Sequence, residues 1–134
     1  MKRPAFTLIE IVAVLGILVT VSLGGLWLSR RAQQQLTEDR FFDAFSAHWQ
    51  NTLVQAQGQG GGVQFVDHQA IFFVGQPKQS VSLAIPSQFN RVDTTVTIGK
   101  DSFTQPTTVT LMRPGGKTVR MTFQMGWGAL DIQR

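Results

Sequence analysis

The chain has 134 residues, a length that allows one small folded domain with a modest core. It contains no cysteine, which excludes a disulfide framework and a thiolate metal site. The formal charge is +4, but setting Lys2 and Arg3 aside leaves ten Lys and Arg against eight Asp and Glu, a balance too even to point to nucleic acid by itself.

Residues 11–28 form an apolar run interrupted only by Gly16, Thr20, Ser22, Gly24 and Gly25. That length suits a transmembrane helix. Eleven of these residues are Leu, Ile or Val. At about −0.5 kcal/mol each they contribute roughly −5 kcal/mol to insertion, of which the glycines and hydroxyls return only a part. Basic residues flank both ends (Lys2-Arg3 and Arg30-Arg31), so the positive-inside rule assigns no orientation.

Beyond Arg31 the helical pattern continues through polar residues and then becomes amphipathic. Phe42, Phe45, Trp49, Leu53 and Ala56 recur at spacings of three and four, which is one apolar stripe. Gly58 and the Gly60-Gly61-Gly62 run end it, and the glycines read as a flexible connector. A single helix over 6–57 would be about 75 Å long.

From Val63 the period changes to two. The pattern predicts strands over 63–66, 70–74, 81–85, 94–98, 107–113, 117–125 and 129–132. Turns fall at Gly75-Gln76-Pro77-Lys78, Gly99-Lys100-Asp101 and Pro114-Gly115-Gly116. The clearest hairpin sets Val109 and Leu111 against Val119, Met121 and Phe123. The expected fold is therefore α+β: a long N-terminal helix whose amphipathic half, 31–57, packs on an antiparallel sheet built from 58–134.

No enzyme chemistry assembles from the residue pattern. His48 sits beside Trp49 on the helix, and His68 follows Asp67 at a strand end or turn. Asp67, Asp93, Asp101 and Asp131 are scattered singly, whereas calcium needs a dense set of oxygens. There is no Gly-x-Ser-x-Gly elbow, and Gly58 to Gly62 lacks the Lys-Ser/Thr of a phosphate loop. No catalytic residue, metal, cofactor or small-molecule substrate is expected. Arg113, Lys117 and Arg120 cluster at the Pro114-Gly115-Gly116 hairpin and are candidate DNA contacts, set against the plainer reading of a solvated hairpin.

The most specific signal precedes the apolar run: Lys2-Arg3-Pro4-Ala5-Phe6-Thr7-Leu8-Ile9-Glu10. An acid in the first turns of a membrane span is costly and calls for a reason. This block resembles the class III signal of type IV prepilins and pseudopilins, a short basic leader followed by Phe-Thr-Leu-Ile-Glu and an apolar helix. Ala5 stands where the family most often has glycine. The resemblance implies a leader over 1–5, cleavage between Ala5 and Phe6 by a prepilin peptidase, N-methylation of Phe6, and a polymerisation helix over 6–30. Cutting before the apolar run keeps it as an anchor, unlike an ordinary signal peptide. It further implies that Glu10 neutralises the Phe6 amino group of a neighbouring subunit during assembly.

In its short length, its amphipathic 42–56 segment and its closing Phe123-Gln124-Met125-Gly126-Trp127-Gly128 before a short terminal strand, the chain looks most like the minor pseudopilins of Gram-positive competence pili, of the ComGD type. The implied partners are other pilin subunits, the peptidase, the cell membrane before assembly, and DNA through a surface filament after it. A pseudopilin of a type II secretion system is the alternative within the family. A single-span anchored binding module that does not polymerise is the alternative outside it, and Glu10 separates the two.

Overall fold

The structure is a computed structural model that describes residues 7–75 and 79–134, the side chains of 26–28 excepted. The turn positions Gln76, Pro77 and Lys78 lie outside the described residues. The chain divides into two compact units, one ending at Thr37 and one spanning Glu38–Arg134.

A single helix, α1, spans Leu8–Gln55. It contains no proline, and its first turn hangs on the Thr7 carbonyl, which accepts from Glu10 N–H at 3.0 Å and Ile11 N–H at 3.3 Å. At the far end the Ala56 carbonyl accepts from Gln59 and Gly60, and Gly58 takes a φ of +74° that glycine adopts without steric cost. The observed ends fall two residues inside the predicted ones. In the first unit the helix runs unbroken through Gly16, Gly24 and Gly25. Thr20 and Ser22 bond back to the carbonyls of Gly16, Ile17 and Leu18, so their hydroxyls are satisfied within the helix.

Among the described residues the second unit contains seven strands: β1 (Gly61–Val66), β2 (Gln69–Val74), β3 (Gln79–Ala84), β4 (Thr94–Ile98), β5 (Thr107–Met112), β6 (Thr118–Phe123) and β7 (Leu130–Gln133). They form two antiparallel sheets, ordered β3-β2-β1-β4 and β5-β6-β7, where one sheet was expected. The break has a local cause. Gly99 to Ser102 turn the chain (Ser102 N–H to Gly99 carbonyl, 3.0 Å), and Pro106 has no N–H to offer a ladder. Thr104 spans the seam through lone bridges to Ile98 and Gly126.

The glycine run is not the free connector that composition suggested. Gly61 and Gly62 are buried and open the central strand β1. A Cβ on Gly62 would lie 2.1 Å from the Val96 carbonyl oxygen, and one on Gly61 would lie 2.6 Å from that of Phe73. Only glycine lets β1 pass so close to both neighbours. The β1–β2 turn is made by Asp67 and His68, both with positive φ (46° and 59°), in the two-residue form whose twist suits a hairpin.

One helix face closes both sheets. Phe45 lies 5.7 Å from Phe65 and 5.0 Å from Phe72 of the first sheet, and 6.2 Å from Phe123 of the second, between ring centroids. Trp49 meets Phe123 edge-on at 4.8 Å. Val63, Val96 and Ile98 from one sheet, and Val109, Leu111, Val119 and Met121 from the other, complete the core. Each such side chain contributes about 1.5–3 kcal/mol on burial. The helical stripe is wider than the predicted one: Phe41 and Thr52 are buried as well, and Leu53 is only partly so.

Candidate membrane and assembly segment

The segment that begins α1 carries the chain's most unusual surface. Leu8, Ile9, Ile11, Val12, Val14, Leu15, Ile17 and Leu18 are all exposed, Leu8 at 82%. This stretch of helix is long and apolar enough to cross a membrane. No described atom comes within 4 Å of a Cβ built on Gly16, Gly24 or Gly25. Their lack of a side chain therefore serves no packing within this unit and leaves smooth ground for a neighbour.

Glu10 is the one ionisable side chain between Thr7 and Arg30. It lies in the first turn of α1, exposed, with no hydrogen bond or ion pair to any described residue. The helix N-terminus favours its negative charge by up to about 1 kcal/mol. That is well short of the roughly 3 kcal/mol that an unpaired acid costs at the centre of a membrane helix. Glu10 is thus a charge that none of the described residues neutralises. Ala5 and Phe6, the expected cleavage and methylation positions, lie outside the described residues.

The basic hairpin is split by the fold. Arg113 turns inward and closes on Glu38 of α1, while Lys117 and Arg120 are exposed. The β5–β6 turn itself is closed by Arg113 N–H on the Lys117 carbonyl at 2.8 Å and Gly116 N–H on the Arg113 carbonyl at 3.2 Å. Of the outlying cations, Arg91 faces Asp67 at 3.7 Å on the surface. Lys100 lines an open groove with Gly58, Gly60, Gly75 and Phe73.

The histidines serve packing and a turn. The half-buried His48 ring lies 5.4 Å from that of Phe72, and His68 occupies the β1–β2 turn. Among the described residues no three His, Asp or Glu side chains come together as a metal site would require.

One surface feature escaped the sequence reading. Phe103, Met125 and Trp127 are exposed, Trp127 at 95%. Trp127 is held on a built loop: the Gly126 carbonyl accepts from Thr104 N–H at 3.3 Å, and the Gly128 carbonyl accepts from the buried Trp49 indole at 2.7 Å. The Gly-Trp-Gly triplet was the available signal, since glycines around a large apolar residue favour a turn over a core strand.

Fold and segment together define an α+β chain with one N-terminal helix long and apolar enough to cross a membrane. Compared with known proteins, the chain matches no family model, no curated protein and no solved structure.

Proposed function

We propose that this chain is a minor pilin or pseudopilin, a structural subunit of a competence-type pilus that takes up DNA during transformation. The observation that carries the reading is Glu10: an exposed acid without a partner among the described residues, at the start of an apolar helix, inside the block Phe6-Thr7-Leu8-Ile9-Glu10. A neighbour's Phe6 amino group, freed by cleavage after Ala5, is the complementary charge. In low dielectric such a pair also sets register between subunits.

In this reading the chain waits in the cell membrane as a single-pass protein. A prepilin peptidase cuts and methylates it, and helix stacking over 6–30 draws it into a surface filament. The second unit is the head that the filament displays. The test is the intact mass of the membrane-extracted protein, with and without the peptidase. Loss of residues 1–5 and gain of one methyl group, both peptidase-dependent, is the expected result. An uncut chain, or one starting near Gly25, would replace this reading with an anchored or secreted binding domain.

A further inference from the structure

Two loops of the second unit share a cleft of about 260 Å³, lined by Asp101, Ser102, Phe103, Gly126 and Trp127. The seam between the sheets brings them together. Thr104, directly after Phe103, bridges to Gly126, directly before Trp127, and its N–H donates to the Gly126 carbonyl at 3.3 Å. Beyond Trp127 the Gly128 carbonyl accepts from the buried Trp49 indole at 2.7 Å. Before Phe103 the turn is closed by Gly99 N–H on the Phe103 carbonyl at 2.8 Å and by Ser102 N–H on the Gly99 carbonyl at 3.0 Å. Hydrogen bonds thus hold the backbone on both sides of the cleft, which keeps the ordering cost of binding low.

The side chains at the cleft contribute little to the fold. Phe103 is 59% exposed and Trp127 95%, and neither ring meets another ring or a cation among the described residues. Asp101 is exposed as well. Its Oδ1 accepts from Phe103 N–H at 3.4 Å. A Cβ on Gly99 would lie 2.2 Å from that same oxygen, so glycine is what lets the carboxylate fold back over the turn. Its Oδ2 has no partner, and the carboxylate has no counter-charge among the described residues. The adjacent Lys100 lines the separate groove with Gly58 and Gly60 instead.

We propose that this cleft binds a methylated ammonium group of the choline class. An uncompensated carboxylate beside two exposed aromatic side chains calls for a cation, which the negative ring faces attract. The donors then decide which cation. A guanidinium makes its strong fork only on two free carboxylate oxygens, and one of them is committed to Phe103 N–H. A primary ammonium brings three N–H groups, more than a single open oxygen and apolar rings can accept. A quaternary ammonium has no N–H to satisfy, so one charge and apolar walls meet all its needs. An anion such as a DNA phosphate would meet the like charge of Asp101. The volume fits a small group, below the roughly 300–1,000 Å³ of drug-sized sites. No residue of the apolar helix half takes part, so the proposal stands independently of the assembly reading.

The test is titration of the full-length chain, in a maltoside detergent that carries no ammonium group, with choline, phosphocholine and the uncharged isostere of choline in which carbon replaces nitrogen. Binding is read by saturation transfer from protein to ligand methyl protons and by the shift of the Trp127 indole N–H. Choline should bind saturably, with a Kd on the order of 1 mM and at least about tenfold tighter than the isostere. Trp127→Ala and Asp101→Asn should each weaken it at least about fivefold with the thermal midpoint unchanged, since both side chains are exposed. Phosphocholine binding more tightly than choline would support the site and name a headgroup as the source; equal or weaker binding would support it with a free solute as the source. No saturation by about 50 mM choline would overturn the proposal, as would equal binding of the isostere or an Asp101→Asn chain that binds choline undiminished. Methylguanidinium binding more tightly than tetramethylammonium would overturn it in favour of an arginine side chain.

Discussion

Arg113 closes on Glu38 across 75 residues of sequence, with its Nε 3.0 Å from each carboxylate oxygen and its Nη2 completing the fork on Oε2. Gln88 Nε2 donates to the same carboxylate at 2.6 Å, and the guanidinium lies 5.9 Å from the Phe89 ring centroid. The two side chains are 23% and 12% exposed, which sets this pair apart from the open Arg91–Asp67 contact. The fork ties the β5–β6 hairpin and the loop after β3 to the helix.

Arg113→Ala should therefore destabilise the second unit by about 3 kcal/mol, because it strands a largely buried carboxylate. Arg113→Lys should recover only part of that, since an ammonium cannot make the planar fork. Urea unfolding of the purified chain measures both. A loss under about 1 kcal/mol for Arg113→Ala would show the pair to be no stronger than an ordinary surface contact.

Lys117 and Arg120 carry the DNA question without that complication. Lys117→Ala with Arg120→Ala should leave stability within about 0.5 kcal/mol, weaken DNA uptake and lower the salt slope of filament–DNA binding by about two. Unchanged uptake by intact filaments would return the hairpin to the role of a solvated turn.

Gly62→Ala should cost at least about 3 kcal/mol or prevent folding, since its methyl group would sit 2.1 Å from the Val96 carbonyl oxygen in the centre of a four-stranded sheet. Gly115→Ala meets no atom within 4 Å, but its φ of +91° makes alanine strained there. It should cost less, about 1 kcal/mol. Thermal or urea midpoints of the two variants give the comparison. Equal losses would mean that turn strain, and not the close approach at β1, dominates.

Glu10→Leu removes an acid that no described residue neutralises. Membrane insertion should improve, by less than the roughly 3 kcal/mol an acid costs at the centre of a span because Glu10 lies in the first turn, while incorporation into filaments falls at least tenfold. Fractionation into membrane and sheared surface material reads the two effects separately. A variant that polymerises normally would remove the assembly role and favour an anchored module.

The strands were legible because their signal is local. Period-two alternation in 107–123 placed Val109, Leu111, Val119, Met121 and Phe123 on one face, and all five are buried as that pattern required. The helix was legible for the same reason, although Phe41, four residues before Phe45, was left off its stripe. Signals that depend on distant partners were not legible. Arg113 looked like one more basic hairpin residue, and nothing nearby in sequence marks Glu38 as its counterion. Trp49 and Trp127 are the same residue type near glycines or polar neighbours, yet one is 1% and the other 95% exposed.

By itself the amino-acid sequence determined the long helix, its apolar first half with Glu10 at the head, and the seven short strands that follow. Those features follow from hydrophobic periods of 3.6 and 2 and from the length of an unbroken apolar run, all of which act over a few turns of chain. Tertiary structure alone decided that the strands divide into two sheets at Thr104, that Gly61 and Gly62 belong inside β1, and that Arg113 is bound to Glu38. Each of these depends on which backbone or charge arrives from dozens of residues away, and a local pattern does not encode that distance.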